Sequence, residues 1–346
     1  IPRLFGAMRV AGTVIWATDL VEHRSTSGGG KGKPKTTTYT YSTSFAVALS
    51  ARQIGSIGRI WADGNLLRGS AGDFKSPITS FRVYAGSEDQ ALDSQIAAHR
   101  GASTTPAHRG IAYAVFQDLT LTDFGNRIPS LTFEVFADAA AVPVADLAFD
   151  LSDGLIARDA GSGLPAVRGY AASGRSVADA LSPLVEGYAL GLRDGASGMS
   201  LLPAGAIEAG IVAEMVGARF NARAERGVKA RRARAEDVPV RMSVRHYDPA
   251  RDYQAGLQTS ERGGAGRVER DLDLPASLSA SEARALAEAQ VQQLWTGRRT
   301  LELRCDWRAL TLEPGAVVTI EGQSGRWRIE RSEWEGFLDF SQKRTD

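Results

Sequence analysis

The chain has 346 residues, with 41 Lys+Arg against 40 Asp+Glu, and its net charge of +1 provides no global field to recruit nucleic acid or an acidic membrane. Hydrophobic residues make up 43% and charged residues 23%, ordinary for a globular protein, and no run approaches the roughly 20 apolar residues of a membrane-spanning helix. A single cysteine, Cys305, excludes an internal disulfide, a Cys-rich zinc site and an iron–sulfur cluster.

Ile1-Pro2-Arg3 opens the chain without a basic, then apolar, leader, and the absence of an initiator Met suggests a section of a longer polypeptide. Alternation of Val10, Val14 and Trp16 predicts a strand over Arg9 to Trp16. From Thr36 to Leu49 the alternation is sustained, with Tyr39, Tyr41, Phe45, Val47 and Leu49 on one face and Thr40, Ser42, Ser44, Ala46 and Ala48 on the other. Fully extended, that stretch would span about 46 Å, so it projects beyond its own domain or belongs to a barrel shared between subunits. Ser25 to Lys35, rich in Gly, Ser, Lys and Pro, predicts a long hairpin over residues 9–49 with a flexible tip carrying His23, Lys31, Lys33 and Lys35.

Further strands are expected at Ile57 to Leu66, Thr79 to Tyr84, Ile111 to Leu119 and Leu131 to Phe136. Ser87-Glu88-Asp89-Gln90 has capping-box spacing and predicts a helix start. Together these make residues 1–142 one β-rich domain, closed by the Ala/Pro-rich junction at Ala137 to Pro143. Helices over Val144 to Leu155 and Ser176 to Tyr188, the second with Leu181, Leu184, Val185 and Tyr188 as its buried stripe and a kink at Pro183, give a small α/β unit over 143–239.

Alternation returns with Val240, Met242, Val244 and His246, opening a second β-rich domain over 240–346. One helix interrupts it over 279–294, announced by Pro275 and the capping box Ser279-Ala280-Ser281-Glu282, with Ala283, Leu286, Ala287, Val291 and Leu294 on its stripe. Strands follow at Arg299 to Trp307, Ala316 to Ile320 and Gly325 to Glu333, the last two joined as a hairpin. Cys305 alternates with Leu301, Leu303 and Trp307, which predicts a buried, unreactive thiol. The class is α+β and β-dominated: two β-rich domains flanking or enclosing a small α/β domain.

Chemistry is sparse along this chain. Gly28 to Lys33 resembles a phosphate cradle, but Ser27 holds the position where a P-loop needs Gly, Pro34 follows Lys33, and a strand rather than a helix comes next. His23, His99, His108 and His246 neighbour no credible nucleophile, and no two have the helical i, i+4 spacing of a metal pair, so no cofactor or metal is expected. Glu134, in Leu131-Thr132-Phe133-Glu134-Val135-Phe136, is the best candidate for a paired-carboxylate hydrolase, against an ordinary solvent-facing Glu on a half-buried strand. Arg219, Arg223, Arg226, Lys229, Arg231, Arg232 and Arg234 face only Glu225, so seven minus one leaves a local +6. Such a run is a solvated face, a subunit-docking strip, or a sequence-independent contact for nucleic acid.

Val14-Ile15-Trp16-Ala17-Thr18-Asp19-Leu20, Thr38 to Leu49 and Ile57-Gly58-Arg59-Ile60-Trp61-Ala62-Asp63-Gly64 resemble the hub or tail-tip proteins of siphophages and gene transfer agents, called megatron in the latter. Tyr247 to Gln254 and Leu312-Glu313-Pro314-Gly315-Ala316-Val317-Val318 are similar to the later hub segment of the same proteins. The resemblance implies a structural, non-enzymatic baseplate hub in a virion or particle tail, assembled in the bacterial cytoplasm. It implies a homotrimer whose tail-tube-like β-barrel domains form a pseudo-sixfold ring, continuing the tail tube as a conduit for DNA. Partners would be the tail tube or distal tail ring and other baseplate proteins, with transient contact to DNA. Tyr39, Tyr41, Phe45, Lys31, Lys33, Arg231, Arg232 and Arg234 are the expected subunit-contact or channel residues. The glycoside-hydrolase-like barrel and receptor-binding parts of the gene-transfer-agent versions have no counterpart in the sequence, and a glycan or peptidoglycan hydrolase using Glu134 is the alternative.

Overall fold

The computed structural model describes residues 1–27, 36–158, 163–195, 198–203, 208–217, 219–220, 223–224, 228–264 and 266–333. Its first part is built from β1 (Arg3–Ala11), β2 (Thr13–Ala17), β3 (Val21–Ser27), β4 (Thr36–Ser50), β5 (Ser56–Ala62), β6 (Asn65–Arg68), β7 (Ser80–Tyr84), α1 (Ser94–Arg100), β8 (Ala112–Thr120) and β9 (Leu131–Phe136). The expected long strand is present: β4 runs for 15 residues. Its inner half, Ser42 to Ser50, is buried on both faces. Phe45, Val47 and Leu49 share one core with residues of β1, β5 and β9, while Ala46 and Ala48 pack with Trp16, Tyr113 and Ile96 of α1 in another. Small residues alternate with large ones along β4 because a helix lies against one face and a sheet against the other.

Two sheets carry this architecture. One has five strands, with β2, β4, β8 and β7 in order and β3 paired to the outer part of β4. The other has eight, running from Gln254–Glu261 through Arg241–Asp248, Glu269–Ser277 and Gly169–Ala172 to β1, β9, β5 and β6. Both are open among the described residues, which corrects the expected barrels: the two sheets stack face to face over Leu4, Met8, Phe45, Phe116 and Phe133 instead of closing.

The strand Gly169–Ala172 comes from the middle of the chain and lies between the two β-rich parts, pairing with β1 on one side and with Glu269–Ser277 on the other. Gly6 and Gly169 face each other in that register. A Cβ on Gly169 would sit 1.9 Å from the Ala7 carbonyl oxygen, and one on Gly6, at φ +63, would sit 2.1 Å from that of Arg168. Only glycine permits this approach. A second core lies over this half of the large sheet, where α2 (Val144–Leu151), α3 (Val177–Gly187) and α4 (Ala280–Thr296) cover Tyr170, Met242, Val244, Leu272 and Leu274.

Capping chemistry explains where the helices begin. The Ser279–Glu282 box forms as expected at the start of α4, and Pro275 sits in the strand that precedes it. Helix α3 is capped by Ser176, whose hydroxyl accepts from Asp179 N, and it runs on past Pro183 to Gly187. The first helix corrects the expected start at Ser87: α1 begins at Ser94, capped by Asp93, whose carboxylate accepts from Gln95 N and Ile96 N. Gln90 is buried in the preceding loop, accepting from Gly86 N at 2.7 Å and donating to the Ala107 and His108 carbonyls at 2.9 Å.

Turns account for the remaining differences. The expected strand over Ile57 to Leu66 is a hairpin, because Asp63 and Gly64, at φ 49 and 87, make a tight turn between β5 and β6. Helix α2 stops at Leu151, short of Leu155, and Gly154 turns the chain at φ 88. The strand expected over Arg299 to Trp307 ends at Leu303, where Asp306 caps a 3-10 turn with its carboxylate and leaves Trp307 exposed.

The close pairing at Gly169 predicts that Gly169→Ala lowers stability by more than about 2 kcal/mol, because backbone rather than a side-chain tip must move. Thermal unfolding of the variant beside Gly163→Ala, at a position with only ordinary contact to the Pro203 ring but a φ of +128, separates crowding from backbone strain. An unchanged melting temperature for Gly169→Ala would contradict the packing described.

Candidate functional site

Beyond Ser42, β4 leaves the body of the molecule and pairs with β3 in a two-stranded arm. All seven residues of β3 are exposed, and Thr36 to Thr40 have β3 as their partner strand. An isolated two-stranded ribbon is marginal in water, and both of its edges offer unpaired backbone groups. Tyr39 lies on the arm opposite Arg24 and is 50% exposed. Tyr41 is opposite Glu22 and donates its hydroxyl to Glu22 Oε2 at 3.0 Å, which raises the phenol above its ordinary value. His23, expected in a flexible tip, is on β3, with Nε2 2.8 Å from Ser42 Oγ. Lys31 and Lys33 fall outside the described residues, as does the rest of the glycine-rich tip.

Phe45 is corrected as a contact residue. It is fully buried and stacks on Phe116 with ring centroids 4.8 Å apart. The alternation places it on the same face as Tyr39 and Tyr41, but that face passes from solvent into the core at Ser42.

The described end of the basic run, from residue 228, forms a ribbon. Val228–Arg232 pairs antiparallel with Arg299–Leu303, setting Lys229 opposite Glu302, Arg231 opposite Thr300 and Arg232 opposite Arg299. Arg231, Arg232 and Arg234 are all exposed. Lys229 reaches Glu302 at 3.2 Å and Arg234 reaches Glu236 at 3.5 Å, whereas Arg231 and Arg232 reach no carboxylate among the described residues. Cys305 lies past the end of this ribbon, half-buried against the small core of Ile211, Val318 and Ile320, and burial pushes its thiol up.

Glu134 is not solvent-facing. It is 7% exposed, and Arg59 grips it with Nε to Oε2 at 2.9 Å, Nη2 to Oε1 at 2.8 Å and its own backbone N to Oε2 at 3.0 Å. Arg59 Nη1 also donates to Asp252 Oδ1, on a turn where Asp252 and Tyr253 both adopt positive φ. Trp61 stacks beside them, with the Arg9 and Arg59 guanidinium carbons 3.8 and 5.0 Å from its ring centroid. Burial pushes the Glu134 carboxyl up, but the Arg59 hydrogen bonds outweigh it and hold the group below its ordinary value. A carboxylate kept ionised and doubly engaged by Arg59 cannot serve as a general acid. Arg59 and Asp252 come from two of the motifs that carry the resemblance, Ile57–Gly64 and Tyr247–Gln254, and here those motifs meet.

Elsewhere a groove of about 350 Å³ is lined by Arg52, Asp138, Asp146, Asp150 and Arg158. Its charges already pair: Arg52 with Asp138 at 2.9 Å and Asp150 at 3.2 Å, and Arg158 with Asp146 at 3.4 Å. Among the described residues, no group of three His, Cys, Asp or Glu could hold a metal ion.

Residues 176–332 match the family model described as "Putative phage tail protein". A chain of the native gene transfer agent virion matches in structure with a TM-score of 0.78 and 26% identity, over 96% of this chain and 81% of that one. Residues 176–332 thus resemble a phage tail protein family, and nearly the whole chain shares its fold with a chain of a gene transfer agent virion. Two other tail proteins align with much lower similarity: one from Neisseria meningitidis MC58, with TM-score 0.36, 11% identity and coverage of 94% and 90%, and the 43 kDa tail protein of prophage MuSo2 from Shewanella oneidensis, with 0.35, 9%, 89% and 91%. No curated protein matches this chain.

The Arg59–Glu134 pair predicts a specific acid response. With the folded value depressed, the stabilisation is complete above the ordinary value of 4.5 and is lost as pH falls through the folded value. Glu134→Gln should cost about 2 kcal/mol at neutral pH and flatten the acid limb of a stability–pH curve. Parallel acid limbs for the two proteins would contradict the assignment.

Proposed function

We propose that this chain is a structural hub component of a phage or gene-transfer-agent tail, and that three copies form a ring continuing the tail tube at the baseplate. The observation that carries the reading is the match over 96% of the chain to a chain of a gene transfer agent virion. In this reading the β-rich segments 1–142 and 240–346 supply the walls, the segment 143–239 fills between them, and the ring encloses a conduit for DNA. Neighbouring rings and other baseplate proteins stack on its two ends.

The arm supports the trimer. Tyr39, Tyr41 and the open edges of β3 and β4 give a neighbouring copy backbone donors and acceptors together with aromatic area, and a head-to-tail contact of this kind closes into a ring. Sheet edges that are open among the described residues fit the same reading, since edges left bare by one copy are covered by the next. The Glu134 geometry argues against a hydrolase, because the carboxylate is buried and Arg59 occupies both of its oxygens, leaving neither free for a substrate or an attacking water.

Native mass measurement of the full chain tests this. A trimer is expected, and Tyr39→Asp together with Val21→Asp on the arm should shift it to monomer while the thermal transition of the body is retained. A wild-type chain that stays monomeric at all concentrations and is absent from tail particles would overturn the proposal.

A further inference from the structure

The ribbon of Val228–Arg232 and Arg299–Leu303 gathers cations that lie far apart in the sequence. Arg232 and Arg299 are directly opposite, so their side chains leave the same face. Beyond them Ala233 N donates to the Arg298 carbonyl at 2.8 Å, which extends the pairing by one step and sets Arg298 diagonal to Arg231 on the other face. Arg298 and Arg299 are held in place by stacking, with guanidinium carbons 5.1 Å from the Trp295 ring centroid and 5.4 Å from that of Trp327. Arg231, Arg232, Arg298 and Arg299 reach no carboxylate among the described residues, whereas Arg52, Arg59, Arg82 and Arg127 in the first β-rich part all have acidic partners.

Like charges directly opposite in a ladder destabilise it, and no carboxylate among the described residues offsets the Arg232–Arg299 pair. An anion supplied from outside would. A guanidinium stacked on an indole keeps its N–H groups directed outward and loses little freedom on binding, which suits it to phosphate oxygens. We propose that this end of the ribbon binds the phosphodiester backbone of nucleic acid without regard to sequence. The proposal deepens the hub reading by naming the chemistry of the passing polymer's contact, and it rests on that reading only for where the polymer comes from.

The test uses the full chain and a short labelled DNA duplex of mixed sequence, titrated by fluorescence anisotropy between about 50 and 200 mM salt. Each neutralised phosphate contributes about 0.9 to the slope of log affinity against log salt, so Arg231→Gln, Arg232→Gln and Arg299→Gln together should flatten it by about 2 to 3. The corresponding Arg→Lys triple variant keeps the charge and should keep the slope, which separates loss of charge from loss of fold. Native mass measured on the same samples should not change with either triple variant. Equal slopes for wild type and the Gln variant would overturn the proposal. So would displacement of the labelled duplex by polyglutamate more readily than by unlabelled duplex at equal charge, which would mark an acidic protein as the partner. If the Gln variant loses its trimer while keeping its DNA affinity, the ribbon is a subunit strip and the proposal fails. A wild-type chain that stays monomeric and is absent from tail particles, yet binds DNA with the expected slope, would sink the hub reading and leave this one standing.

Discussion

Four residues, Gly169–Ala172, hold the two β-rich parts of this chain in one sheet. Their strand is short and comes from the middle of the sequence, yet β1 pairs with it on one side and Glu269–Ser277 on the other. The pairing depends on Gly6 and Gly169 because any Cβ at either position would meet a backbone carbonyl. Further ties cross the same joint: the Ser277 hydroxyl donates to the Ala7 carbonyl at 2.8 Å, Arg9 donates to the Asp252 carbonyl at 3.2 Å, and Arg59 bridges Glu134 on β9 to Asp252 beyond the joint. The body is therefore one framework, from which the arm of β3 and β4 projects.

Much of that framework is legible from residue pattern. The length of β4, the strand Leu131–Phe136, the capping box of α4 and the stripe of α3 follow from period and from side chains that satisfy the first turn of a helix. Pattern misleads where tertiary contact overrides it. Glu134 reads as a solvent-facing residue because alternation assumes one covered face, but Arg59 and the turn that carries Asp252 cover the other. Phe45 shares a period with Tyr39 and Tyr41, and nothing local marks Ser42 as the point where the strand enters the core. Asp63-Gly64 is a turn signal that the surrounding apolar residues obscure.

The candidate surfaces divide in the same way. The arm is visible as a long alternating run bounded by Gly, Ser and Lys. The cationic end of the ribbon is only half visible, since Arg231 and Arg232 stand in a basic run but Arg298 and Arg299 reach them through strand register, which composition does not encode. A net charge of +1 conceals this arrangement, because Asp138, Glu134 and Asp93 are matched to arginines they touch while these four arginines reach no carboxylate among the described residues.

The central claim is that the arm is an unfinished edge completed by another copy of the chain. Amide hydrogen exchange of residues 21–27 and 36–40, compared between the free chain and assembled tail particles, tests it most directly. The account predicts rapid exchange in the free chain and strong protection in the particle. Equally rapid exchange in both would contradict it.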